Sequence, residues 1–158
     1  MRKLFFLTLA TVCIAGCATG STLPAYGNFT QSTVPAYDKA MAEDVAHKLA
    51  LLYPPARSRF RLGQAAPDPF GSALIAALRT KGYAIAEFYS AAKAKAPSGS
   101  APGAADQPSD LALAYLVDQP LEPGLYRVTV HVNSQSLSRL YRSGNGTASA
   151  AGYWIRKE

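Results

Sequence analysis

The chain has 158 residues, a formal net charge of +6, and charged residues at only 16 % against 49 % hydrophobic ones. That balance excludes an intrinsically disordered chain and, after any leader is removed, leaves room for one ordinary domain but not two large ones. Lys and Arg are spread along the chain and form no stripe, which argues against nucleic acid as a direct partner.

In chain order the first feature is a leader. Met1-Arg2-Lys3 is positive, and Leu4 to Ala15 is an apolar run of about a dozen residues, the length of a secretory signal core and too short to cross a bilayer as a helix. The run ends in Ile14-Ala15-Gly16-Cys17, which resembles the bacterial lipobox. The resemblance implies removal of residues 1–16, a diacylglyceryl group on the Cys17 thiol, and a three-chain anchor at the new N-terminus. One acyl chain holds a protein only marginally, whereas three make attachment effectively permanent. Ala18 is not the Asp that favours inner-membrane retention, so by resemblance to that sorting rule the expected location is the outer membrane, with the domain facing the periplasm. Arg2 and Lys3 leave with the leader, so the mature 142 residues carry +4. Cys13 leaves too, so no disulfide is expected.

Residues 17–33 are expected to be the lipidated N-terminus and a flexible tether, and 34–158 a single domain. The first helix is predicted near 34–53, with Thr33 as N-cap, Pro35 in the first turn and Pro54-Pro55 as its stop. Tyr37, Met41, Val45, Leu49 and Leu52 share one face at helical spacing. Asp38, Glu43 and Asp44 suit the positive end of the helix dipole. Residues 57–62 alternate as a strand, with Phe60 and Leu62 inward and Arg57, Arg59 and Arg61 outward. A second helix is predicted from Asp68-Pro69 to Lys81, with Asp68 as N-cap and Gly82 just past its end. Residues 83–89 read as a strand, and the Ala/Pro/Ser/Gly-rich stretch at about 90–109 as a disordered loop. A meander follows: 111–117, 126–132, 136–142, a tight turn at Gly144-Asn145-Gly146, and a final strand over 147–156. The expected fold class is α+β, with two helices packed on a mostly antiparallel sheet of about five strands. The pattern is similar to the small N-terminal domains of secretins, an analogy of fold only.

Catalytic chemistry finds little footing. His47 sits in a charged helical stretch, and His131 is out of phase with the valines around it, so both are expected at the surface. Neither has metal-pair spacing, and no metal or cofactor is expected. Glu43, Asp44 and Asp68 are explained by capping and dipole roles. No nucleophile elbow or phosphate-cradling glycine loop is present. The expectation is a protein that is not an enzyme and has no small-molecule substrate. Arg and Tyr are favoured at protein interfaces, and the chain has nine tyrosines. Arg57, Arg59, Arg61, Arg139, Tyr141 and Trp154 are the candidate interface residues.

Several segments together resemble the TrbH family of conjugal-transfer lipoproteins. They are Cys17 in its lipobox, the helix leading to Tyr53-Pro54-Pro55-Ala56, the stretch Asp68-Pro69-Phe70-Gly71 through Leu78 to Ala84, Leu137 to Tyr141, and Ala151-Gly152-Tyr153-Trp154. The resemblance implies a structural component of a conjugative type IV secretion apparatus, with outer-membrane lipid and other channel subunits as partners. The alternative is a stand-alone periplasmic lipoprotein that binds peptidoglycan or another envelope component.

Overall fold

The computed structural model describes residues 26–30, 34–88, 109–120 and 122–158. Cys17, Thr33, the predicted leader and most of the predicted 90–109 loop lie outside these residues. Two helices cover one face of an eight-stranded, mostly antiparallel sheet. Helix α1 (Pro35–Leu52) begins with Pro35 in its first turn, and its N-cap position is Val34, without a side-chain cap. It buries Asp38, Met41, Ala42, Val45, Ala46 and Leu49, one continuous stripe at helical spacing. Tyr53 N–H donates to the Leu49 carbonyl at 2.8 Å, and the two prolines that follow prevent another helical turn. Pro55–Arg57 then forms a single 3-10 turn, so Arg57 precedes the strand rather than opening it.

Helix α2 (Pro69–Thr80) is bounded as local chemistry dictates. Asp68 Oδ1 accepts from Gly71 N–H at 2.9 Å, a cap of about 1 kcal/mol. At the other end Gly82 adopts φ +89°, and the Gly82 and Tyr83 amides close back on the Arg79 and Leu78 carbonyls, the Schellman arrangement. The helix buries Phe70, Leu74, Ile75 and Leu78.

The strands are β1 (Gly27–Asn28), β2 (Ser58–Leu62), β3 (Ala84–Ala86), β4 (Ser109–Asp118), β5 (Leu125–Val132), β6 (Gln135–Gly144), β7 (Thr147–Ala150) and β8 (Ile155–Lys157). Their order is β3-β2-β4-β5-β6-β7; β1 lies beside β4 and β8 beside β6. The β1–β4, β2–β3 and β2–β4 pairs are parallel, and the rest are antiparallel. The inward rows are Phe60 and Leu62; Leu113, Tyr115 and Val117; Tyr126, Val128, Val130 and Val132; and Leu137 and Tyr141. The Asn145-Gly146 turn has φ of +51° and +75°, the mirror-image geometry that suits the strand twist of a two-residue hairpin.

Four expectations need correction. The sheet has eight strands, not about five. The strand predicted over 83–89 is only three residues long. The strand predicted over 147–156 is two strands, β7 and β8, separated by residues 151–154, of which Ala151 N–H still donates to the Leu140 carbonyl of β6. The tether predicted over 17–33 is partly structured, because β1 pairs with Leu116 and Val117 and Phe29 N–H donates to the Val117 carbonyl at 2.8 Å. Asn28 holds this segment by accepting from Thr30 and donating toward Asp38 on α1 at 3.4 Å.

Candidate functional site

The conspicuous polar clusters are structural. Asp44 on α1 receives the Arg139 guanidinium at 2.8 and 3.1 Å and the Tyr141 hydroxyl at 2.7 Å. Arg139 also donates from Nε to the Gly152 carbonyl at 2.8 Å and lies 5.7 Å from the Trp154 ring centre. Its planar fork suits several simultaneous bonds, and stacking on indole adds about 0.5–1 kcal/mol. The cluster ties α1 to β6 and to the link between β7 and β8. The dipole role expected for Asp44 is therefore incomplete, because its carboxylate is the hub of this cluster. Burial, then the bond to Asp44 and its charge, push the Tyr141 phenol far above its ordinary value, while Arg139 pulls it down.

A second cluster joins α2 to the sheet. Asp68, already capping the helix through one oxygen, accepts from the Tyr115 hydroxyl with the other. Burial and then this carboxylate raise the Tyr115 phenol in the same direction. Both phenols stay protonated at neutral pH and serve as hydrogen-bond donors to these carboxylates. Among the described residues no group of three His, Cys, Asp or Glu side chains is placed to hold a metal ion, and no helix is long and apolar enough to cross a membrane.

The helix-free face is more open. It carries Arg59 and Arg61 from β2, Arg127 and His131 from β5, and Ser138, Leu140 and Arg142 from β6. Where residues 151–154 leave β6, an open groove of about 520 Å³ forms, lined by Pro120, Arg127, Ser138, Leu140, Tyr153 and Ile155, among others. Tyr153 is 93 % and Ile155 69 % exposed. Arg127 is held by Asp118 through Nε at 3.0 Å, and that bond raises its already high pKa. His131 meets Tyr26 edge-on at 5.3 Å, and burial lowers its pKa. Its ring is thus partly covered rather than fully in solvent, whereas His47 is exposed.

The candidate interface residues fall into two groups: Arg139, Tyr141 and Trp154 meet in the Asp44 cluster, and the other three arginines stand apart from it. Arg57, Arg59 and Arg61 are exposed near one edge of the sheet. Arg59 stands 3.6 Å from Asp110, and Arg61 lines a shallow depression of about 350 Å³ with Glu87 and Phe88. Tyr141 is 1 % exposed and belongs to the core, and Arg139 is turned inward to Asp44. Trp154 is partly buried against Arg139. Sequence reasoning missed Tyr153 and Ile155, because an unbroken alternating strand gives no cue that they stand clear of the sheet. Gly152 between them and β7 was the available signal for a break.

No curated protein and no solved structure matches the chain. A family model described as "Conjugal transfer protein TrbH" matches residues 23–158, 136 of the 158 residues, and the protein therefore belongs to the TrbH conjugal transfer family.

Proposed function

We propose that this protein is an outer-membrane lipoprotein, fixed through acylated Cys17 with its domain in the periplasm, and that it serves as a structural and assembly component of a conjugative type IV secretion apparatus. The family match over residues 23–158 carries the reading. The lipobox ending in Cys17 supports the anchor, with Arg2 and Lys3 before the apolar run. The polar chemistry supports a scaffold rather than an enzyme: Asp44, Asp68, Arg139, Tyr115 and Tyr141 are all engaged in holding helices to strands. The partners are membrane lipid and other subunits of the transfer channel, without direct contact to the transferred DNA.

Cys17→Ser is expected to leave the domain folded but to lower plasmid transfer by at least ten-fold, measured as transconjugants per donor. Undiminished transfer by a chain shown by mass spectrometry to lack the lipid would refute the anchoring role. Co-purification in detergent with a large outer-membrane complex supports the assembly reading. Retention on purified cell-wall sacculi, in the absence of the other transfer proteins, would favour the peptidoglycan-binding alternative instead.

A further inference from the structure

We propose that the helix-free face of the sheet lies against the phospholipid surface to which the chain is anchored, with Tyr153 and Ile155 as its interfacial contacts. The inference rests on the reading of Cys17 as the acylated residue. Three observations carry it.

The first is where the chain enters the domain. The Tyr26 ring packs against His131, which lies opposite Ala114 and Ser136 on the helix-free face. Only residues 18–25 separate Tyr26 from Cys17. The nine steps from Cys17 to Tyr26 reach at most about 30–32 Å fully extended, and about 15–18 Å as a coil. A domain of this length is roughly 35 Å across, from its expected radius of gyration. While β1 stays paired with β4, a tether that starts on the helix-free face would have to stretch close to its full length for the helix layer to face the bilayer, and stays coiled when the sheet face does.

The second is charge. Among the described residues the acids on this side are matched to arginines: Asp110 with Arg59, Asp118 with Arg127, and Glu122 with Arg142. Arg61 and Lys157 have no ion-pair partner among the described residues, and Lys157 lies on this face opposite Ser136. The surplus is positive, which complements anionic headgroups.

The third is the kind of apolar surface exposed. Tyr153 and Ile155 project beside the groove next to Leu140 and Pro120. Tyrosine has an apolar ring and a polar tip, and suits the boundary between headgroups and acyl chains. Among the described residues α1 exposes Leu51 near its end and Val34 at its N-cap, at opposite ends of the helix, so the two form no patch.

The test uses the full lipidated chain in vesicles of phosphatidylethanolamine and phosphatidylglycerol with brominated acyl chains, which quench nearby tryptophan. Trp154 is the single tryptophan, so Trp154→Phe gives a silent background. Tyr153→Trp in that background is expected to lose at least half its fluorescence relative to unbrominated vesicles. Leu51→Trp in the same background is expected to lose none. If Tyr153→Trp does not fold, Ile155→Trp is read in its place. Equal quenching at both positions, or none on the sheet face, overturns the proposed orientation and is the result expected if this face binds another protein. Flotation and the mass of the N-terminal peptide are read on the same sample. An acylated, floating chain without sheet-face quenching overturns the orientation alone, whereas an unmodified Cys17 on a chain that does not float overturns the anchor and this proposal together.

Discussion

Gly71 shows how one residue can be dictated from two sides. It lies in the first turn of α2, where its amide is capped by Asp68, and the Tyr115 hydroxyl that bonds the same carboxylate crosses directly over it. A β-carbon at this position would stand 2.7 Å from Ala66 Cβ and even nearer the Tyr115 hydroxyl, closer than packed atoms approach. Gly71→Ala is therefore expected to destabilise the domain by about 1–3 kcal/mol, the usual cost of overpacking. A chemical denaturation midpoint equal to that of the wild type would contradict this. The capping half of the arrangement is legible in Asp68-Pro69-Phe70-Gly71, because a cap acts over three residues. The tyrosine half is not, because Tyr115 is 47 residues away from Asp68. The same limit hides the role of Asp44, whose partners Arg139 and Tyr141 lie more than 90 residues downstream.

At the scale of elements, Gln64 joins two strands that never touch. Strand β2 ends its pairing at Leu113, and β1 begins at Leu116, both on the same edge of β4. Gly63 donates to the Leu113 carbonyl. The Gln64 amide then donates to the Tyr115 carbonyl and accepts from the Tyr115 N–H, each at 3.1 Å. A side chain thus supplies the ladder bonds that a missing backbone would have made, at a buried position where unpaired backbone groups are costly. Gln64→Leu keeps the volume but leaves both groups unpaired, so a loss of about 1–3 kcal/mol is expected. Faster amide exchange at Tyr115 would accompany it, and an unchanged exchange rate there would argue against the bridge. The two helices and the strands of the meander were readable because their burial follows a 3.6- or two-residue repeat over many positions. Strand β1 was not, since two residues have no period. Gly152 marked the break between β7 and β8, but the Arg139 bond that holds its carbonyl there is a contact between distant residues and leaves no local pattern.

For the whole molecule, the buried phenols set an alkaline limit. Tyr115, Tyr141, Tyr83 and Tyr126 are all raised above the ordinary value of 10.0, chiefly by burial. Below that value neither state has ionised and the shift is without consequence. Above it the unfolded chain releases these protons while the native state retains them, so stability falls as pH rises. Thermal melting is expected at a lower temperature at pH 11 than at pH 9, and Tyr141→Phe is expected to show a smaller drop than the wild type. Identical drops would show that Tyr141 does not contribute. The fold class followed from the order of periodic segments, whereas the partly parallel pairing did not, since β2 and β4 meet across some fifty residues.

The brevity of β1 also bears on how far the domain would stand from the attachment proposed at Cys17. A two-residue strand at the rim of a ladder is the piece most prone to open by itself while the rest stays closed. Each opening pays out residues 26–34 as extra line, nine residues or at most about 30 Å. With Cys17 as the anchor proposed above, the distance between it and the domain is not one length but two, a short leash while β1 is zipped onto β4 and a long one when it lets go.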